Sequence, residues 1–84
     1  MFVTYVLYSY KYNRLYIGYT SNLINRFRSH QILATKGFTI KYRPWIVIDV
    51  RFHEQKAEAL RDEKYLKSGI GRANIRSKTL PLYM

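Results

Sequence analysis

The sequence predicts a small mixed α/β domain of the α+β kind, a three-stranded and mainly antiparallel sheet flanked by helices in the order β-β-α-β-α-α. Three observations predict it. Two runs dense in β-branched and aromatic residues, FVTYVLYSY (2–10) and RLYIGYT (14–20), are separated by a short polar break, the pattern of a β-hairpin. A third run, WIVIDVRF (45–52), is nearly continuously apolar at its start, as expected of a central strand covered on both faces. Between and after these runs lie segments with helical spacing and good helix formers.

Each element can be justified in turn. A hairpin register that sets Tyr5 directly opposite Tyr16 would project both side chains from one face. Thr20-Ser21-Asn22 is a helix-start cluster, because each of these side chains can accept from a free backbone N–H. Leu23, Ile24, Phe27 and Gln31 then follow helical spacing, with Asn22, Arg26 and His30 along a neighbouring row. This helix is expected to end at 33–36, before Gly37. Residues 35–43 read as a basic loop, and Pro44, which cannot donate to a sheet, suits the start of the third strand. Residues 53–67, HEQKAEALRDEKYLK, form the second helix, ended or interrupted by Gly69 and Gly71. A third helix is expected over 72–78, with TLPLYM packing back as a tail.

A chain of 84 residues allows one domain, spanning 1–84. Its hydrophobic fraction of 48% and aromatic fraction of 17% exclude a disordered chain. The absence of cysteine excludes a disulfide scaffold and a thiolate zinc site. No apolar run approaches the ~20 residues of a spanning helix, and the N-terminal segment lacks the pattern of a signal peptide. Fifteen Lys and Arg against five Asp and Glu leave a net charge of +10. That field favours a polyanionic partner, nucleic acid in the cytoplasm before a membrane surface. A basic face that serves solubility, or docks on an acidic protein, is the competing reading.

One residue breaks the helical pattern. With Leu60 at the centre of the inward face of the second helix, Glu63 falls ~60° to one side, between Leu60 and Leu66. A carboxylate there is costly unless it is paired or binds a cation. A half-buried ion pair with an arginine and a metal or catalytic role both satisfy it. Glu54, Glu58 and Asp62 read as a solvated face. Tyr5 with Tyr16, and Arg26 with His30, are equally open: packing pairs on the bland reading, site residues on the other. There is no HExxH, no GxxxxGK[ST] and no Ser-His-Asp pattern, and two histidines are too few for a metal cage.

Taken together, Val3-Thr4-Tyr5 in the first strand, Tyr16-Ile17-Gly18 in the second, Arg26 and His30 in the following helix and Glu63 in AEALRDEKYLKS form a recognisable set. The chain resembles the GIY-YIG nuclease superfamily, and within it the small standalone bacterial proteins related to the nuclease domain of the excision-repair subunit UvrC. The resemblance runs over residues 2–75 and includes YVLYS, LYIGYTSNL, RFRSH, KYRPW and GRANI. Val3-Thr4 stand where Gly-Ile usually precedes the tyrosine, and Tyr19 stands where some relatives have lysine.

The resemblance implies a DNA endonuclease that hydrolyses a phosphodiester with one divalent cation, Mg²⁺ or Mn²⁺, leaving a 5′-phosphate and a 3′-hydroxyl. It implies Glu63 as the sole protein ligand of that ion, reaching toward the tyrosine face of the sheet. Arg26 would hold the scissile phosphate, Tyr5 or Tyr16 would orient and deprotonate the attacking water, and His30 would relay a proton or contact phosphate. Repair or recombination is the setting the analogy suggests. Arg28, Lys36, Lys41, Arg43, Arg72, Asn74, Arg76 and Lys78 are candidates for tracking the DNA backbone, which gives affinity with little sequence information. A non-catalytic nucleic-acid binder that keeps the fold is the alternative; a protein partner or a homo-oligomer is compatible with either.

A free phenol has a pKa of about 10, and Arg26, the cation and the +10 field are expected to lower that of the base. The cleavage rate, measured where chemistry limits it, is therefore expected to climb into the alkaline range. A flat profile between about pH 6 and about pH 10 would exclude a tyrosine base.

Overall fold

A computed structural model describes residues 1–33 and 37–83. The strands are β1 (Phe2–Ser9), β2 (Arg14–Thr20) and β3 (Ile46–His53), and the helices are α1 (Leu23–Arg28), α2 (Phe38–Lys41), α3 (Lys56–Lys67) and α4 (Gly69–Asn74). One π-helical turn, Ser29–Leu33, prolongs α1; another, Ile75–Thr79, prolongs α4 and leads into a 3-10 turn at Leu80–Tyr83. The sheet is antiparallel throughout, in the spatial order β2-β1-β3. No helix among the described residues is long and apolar enough to cross a membrane.

That order corrects the expectation for the third run: β1 is the central strand and β3 lies at an edge. Residues 3 to 9 of β1 are all buried, whereas β3 is fully buried only at Ile48. In the second half of β3, Asp49, Val50 and His53 are half-buried and Arg51 and Phe52 are exposed. A bulge opposite Val6 and Leu7 leaves Ile48 without a paired partner, a local kink of the kind common at sheet edges.

The pleat of β1 divides the core in two. Tyr5 and Leu7 face one side with Trp45, against Tyr16, Leu23, Phe27, Tyr42 and Val47. Val6 and Tyr8 face the other with Leu15, Ile17, Ile48, Leu66, Ile75 and Leu80. Each fully buried aliphatic side chain contributes about 1.5–3 kcal/mol relative to exposure. The tail therefore does pack back, through Leu80, while Leu82 stays exposed.

The hairpin register is shifted by two from the expected one. Tyr5 pairs with Gly18 and Leu7 with Tyr16, so the tyrosines share a face as diagonal neighbours, with ring centroids 6.4 Å apart. The turn sets this register: residues 10–13 close it, Asn13 takes a positive φ of 55°, and its side chain accepts from Tyr8 Oη at 3.1 Å. Asparagine is one of the few residues that adopts this conformation at low cost.

Two helical expectations also change. Part of the expected basic loop forms α2, and His53 closes β3 instead of opening a helix. α3 begins at Lys56 behind a capping box, in which the Gln55 side chain and Glu58 satisfy each other's backbone N–H groups. Its inward face is centred on Ala59 and Leu66 and not on Leu60, which is 39% exposed. Asp62, expected in solvent, is therefore half-buried and holds Arg51 at 2.9 Å and His53 at 3.1 Å.

Gly18 leaves space that Tyr5 fills. A Cβ at position 18 would lie 2.6 Å from the Tyr5 hydroxyl oxygen and 2.8 Å from Cζ, and Tyr5 is only 1% exposed. Gly18→Ala is expected to cost about 1–3 kcal/mol, measured as a lower urea midpoint at unchanged slope. An unchanged midpoint would show that the ring moves aside freely.

Candidate active site

The buried Tyr5 hydroxyl lies 2.9 Å from His30 Nε2, and His30 Nδ1 lies 3.1 Å from Thr39 Oγ1. Trp45 Nε1 donates to the carbonyl of Thr39 at 2.8 Å, fixing α2 where the threonine can meet the imidazole. Burial first, then the positive charges of Arg26 and Arg43, push the His30 pKa below its ordinary value. The ring is thus neutral near pH 7 and carries one N–H. A phenol is a stronger donor than an aliphatic alcohol, so Tyr5 donates to Nε2 and Nδ1–H donates to Thr39. Thr39 is a member of this chain that the sequence reading missed, because its segment reads as loop.

Helix α1 begins at Asn22, whose side chain accepts from the Asn25 N–H at 3.1 Å. It carries Arg26 into solvent, where the guanidinium has no hydrogen bond or ion pair among the described residues. The π-helical turn after α1 brings His30 inward, to 7% exposure, and separates it from the exposed Arg26.

The two tyrosines differ sharply. The Tyr5 pKa is held well above the ordinary phenol value, by burial above all, then by Tyr16, with Glu63 adding and Arg26 opposing. At Tyr5 burial thus outweighs the opposing effect of Arg26. Tyr16 is half-buried among rings, 4.6 Å from His30 and 6.3 Å from both Phe38 and Trp45 between centroids. Its hydroxyl has no hydrogen-bond partner among the described residues.

Glu63 projects from α3, its side chain 18% exposed, with Lys67 Nζ 3.6 Å from Oε1. The cation beside it is therefore a lysine one helical turn on, not an arginine. Thr4 Oγ1 donates to the carbonyl of Ala59 at 3.0 Å, anchoring α3 to the central strand one turn before Glu63. The core packing of α3 lies on the face opposite Tyr5, yet Glu63 bears electrostatically on that phenol.

Beside Tyr16 an open groove of about 380 Å³ runs along β2, walled by Asn13, Arg14, Phe38, Lys67, Arg72 and Arg76. Arg72 and Arg76 are held by backbone and turn: Arg72 Nε donates to Lys67 O at 3.1 Å, and Arg76 donates to the Asn13 side chain at 2.8 Å. Arg14 and Lys67 complete this wall and were missed; Lys67 follows Glu63 at helical i+4 spacing, which was the available signal. Arg28 and Lys41 are exposed at the ends of α1 and α2. Arg43 is turned inward, donating to the carbonyls of His30 at 2.6 Å and Ser29 at 3.1 Å. Asn74 donates to Tyr65 Oη at 2.9 Å and lines a separate cavity with Lys78 and Arg51. Lys36 lies outside the described residues.

Hydrolysing a phosphodiester needs a cationic hold on phosphate, a proton acceptor for water and relief of growing negative charge. The side chains gathered around β1 and β2 are of those kinds, the signature of a small nuclease-type domain. The family is specific: the GIY-YIG catalytic domain matches residues 1–75 of the 84, and the chain belongs to the GIY-YIG family. A search of curated proteins found no match.

A lowered His30 pKa makes stability depend on pH with a definite sign. As pH falls, the unfolded chain takes up this proton before the folded one does, so stability is full above about pH 6.5 and declines below it, until the folded value is passed. Urea midpoints at about pH 7.5 and about pH 5 are expected to fall further apart in wild type than in His30→Gln, which keeps a donor and an acceptor but does not titrate. Equal differences would mean that His30 does not contribute.

Proposed function

We propose that the chain is a divalent-metal-dependent DNA endonuclease, with Arg26 holding the scissile phosphate, Tyr16 taking the proton of the attacking water and Glu63 as the one protein ligand of the ion. The observation that carries this reading is the match of the GIY-YIG catalytic domain over residues 1–75, together with the clustering of Tyr5, Tyr16 and His30, whose ring centroids lie 6.4 Å, 5.9 Å and 4.6 Å apart in pairs.

Within this reading the phenols divide the work. Tyr5, donating to His30 and resisting ionisation, is a positioning residue that fixes the imidazole and the floor of the site. Tyr16 has the hydroxyl that is free to meet a water. Arg26, exposed and uncommitted, can grip phosphate oxygens in a bidentate fashion and stabilise the charge that grows on them. His30, neutral and buried, keeps Tyr5 in place.

The donor set at Glu63 suits a hard cation. A single carboxylate, with only a 3.6 Å lysine contact to displace, matches Mg²⁺ or Mn²⁺, which retain waters and are completed by substrate phosphate. Among the described residues no group of three or more His, Cys, Asp or Glu could form a closed cage. When bound, such an ion supplies Lewis-acid stabilisation to the phosphoryl and leaving oxygens. As part of the same proposal the protein acts in the cytoplasm on DNA undergoing repair or recombination, which the resemblance to the UvrC nuclease domain supports.

The test compares wild type, Glu63→Gln, Tyr16→Phe and Tyr5→Phe on branched and linear DNA in Mg²⁺, in Mn²⁺ and in EDTA, with binding read in the same tubes. Metal-dependent nicking is expected in wild type and none in Glu63→Gln, with binding retained. Tyr16→Phe is expected to lose about 10²-fold or more in rate and Tyr5→Phe less; the reverse order would move the base to Tyr5. Binding without cleavage would replace this reading with a non-catalytic DNA binder.

A further inference from the structure

Beside Tyr16 the rings do not stop at the buried core. Phe38 lies 6.3 Å from Tyr16 and 4.8 Å from Tyr42, and Tyr42 lies 5.5 Å from Tyr12, between centroids. The series runs from the candidate site to the hairpin turn, and two of its members, Phe38 at 48% and Tyr12 at 44%, are exposed. Cations are interleaved with it: the Arg14 guanidinium lies over the Tyr42 ring at 5.1 Å and Lys11 Nζ over Tyr12 at 5.5 Å. Arg14 and Phe38 also wall the basic groove that holds Arg72 and Arg76.

Such a surface has two properties at once. An exposed phenyl ring costs free energy in water and offers a π-face, while the surrounding cations select a polyanion. Bases inside an intact duplex have both faces already stacked, so only unpaired nucleotides can use a ring of this kind. The charge complementarity and the contiguity with Tyr16 favour a single-stranded nucleic acid as the occupant, and the nuclease reading makes it DNA. A core-packing role explains Tyr42, which is half-buried against the aromatic core, but not the exposure of Phe38 and Tyr12.

We propose that Phe38 and Tyr12 form a base-stacking platform for unpaired DNA nucleotides adjoining the phosphate at Tyr16, with Arg14, Arg72 and Arg76 along the strand's backbone. This rests on the nuclease reading for its location but not for its test, which measures binding alone. The substrate class it selects is single-stranded DNA, or the unpaired segment of a branched molecule, over an uninterrupted duplex.

The experiment measures affinity in EDTA, where metal-dependent cleavage is silent, for a single-stranded oligonucleotide, the same sequence as a blunt duplex, and an abasic strand of equal length. Wild type, Phe38→Leu, Phe38→Trp and Tyr12→Leu are compared, each checked for a native thermal unfolding transition. Phe38→Leu and Tyr12→Leu are expected to weaken single-strand binding by about fivefold or more, with duplex and abasic binding nearly unchanged. Phe38→Trp is expected to keep single-strand binding, and wild type to bind the abasic strand as poorly as the leucine variants do. Should Phe38→Leu fail to fold, Tyr12→Leu at the exposed turn decides the matter. Equal loss on single strand and duplex, or no loss on either, overturns the platform. Loss of cleavage in Glu63→Gln is a separate readout, so the stacking proposal and the nuclease reading can fail independently.

Discussion

A phenol with almost no exposure to water must find room for its ring and a partner for its hydroxyl, and Tyr5 obtains them from different elements. The room comes from Gly18 on the neighbouring strand, and the partner is His30, presented by the π-helical turn after α1. His30 in turn requires Thr39, and Thr39 is set by the bond from Trp45 to its carbonyl. A buried hydroxyl or imidazole left unpaired costs about 1–3 kcal/mol, and among the described residues no buried side-chain polar atom lacks a partner. The chain Tyr5–His30–Thr39 therefore couples the central strand to α1 and α2, and the position of Arg26 on α1 follows from the same constraint.

The strong positive charge is divided between structure and surface. Arg43 reaches inward to the carbonyls at the end of the first helical segment, and Arg51 is absorbed by Asp49 and Asp62 on β3. Arg26 is left uncommitted, while Arg14, Lys67, Arg72 and Arg76 gather along one groove. Among the described residues only Lys67 of these has a carboxylate near it, Glu63 at 3.6 Å, a distance at which the attraction is modest. Positive residues on this side therefore keep most of their capacity for phosphate.

Much of this was legible in the sequence. The α+β class, the hairpin, the helix start at Asn22 and the family all follow from local patterns, and the sharing of one face by Tyr5 and Tyr16 survives a two-residue shift in register because side chains alternate with period two. What was not legible depends on contacts between distant segments. The run 45–48 reads as central, but centrality belongs to the strand that finds two partners, and β1 is equally apolar. The inward face of α3 was misplaced because Leu60 is more apolar than Ala59, yet the close approach to Thr4 needs the smaller residue. Thr39 looked like loop, and the burial that raises the Tyr5 pKa belongs to the assembled fold.

The pairing pattern has a consequence for the order in which these parts come together. β1 meets β2 across residues 10–13, a short closure, and so Tyr5 and Tyr16 become neighbours through local chain. β1 meets β3 with Phe2 opposite His53, which requires a loop containing β2, α1 and α2 to close, and loop entropy makes such contacts slower to form. Glu63 follows β3 in the chain and is placed by contacts back to β1. The aromatic half of the site can thus begin to assemble on a hairpin, whereas its carboxylate arrives only with the long-range half of the fold. The phenolic components meet through a short closure of the chain, and the carboxylate joins them through a long one.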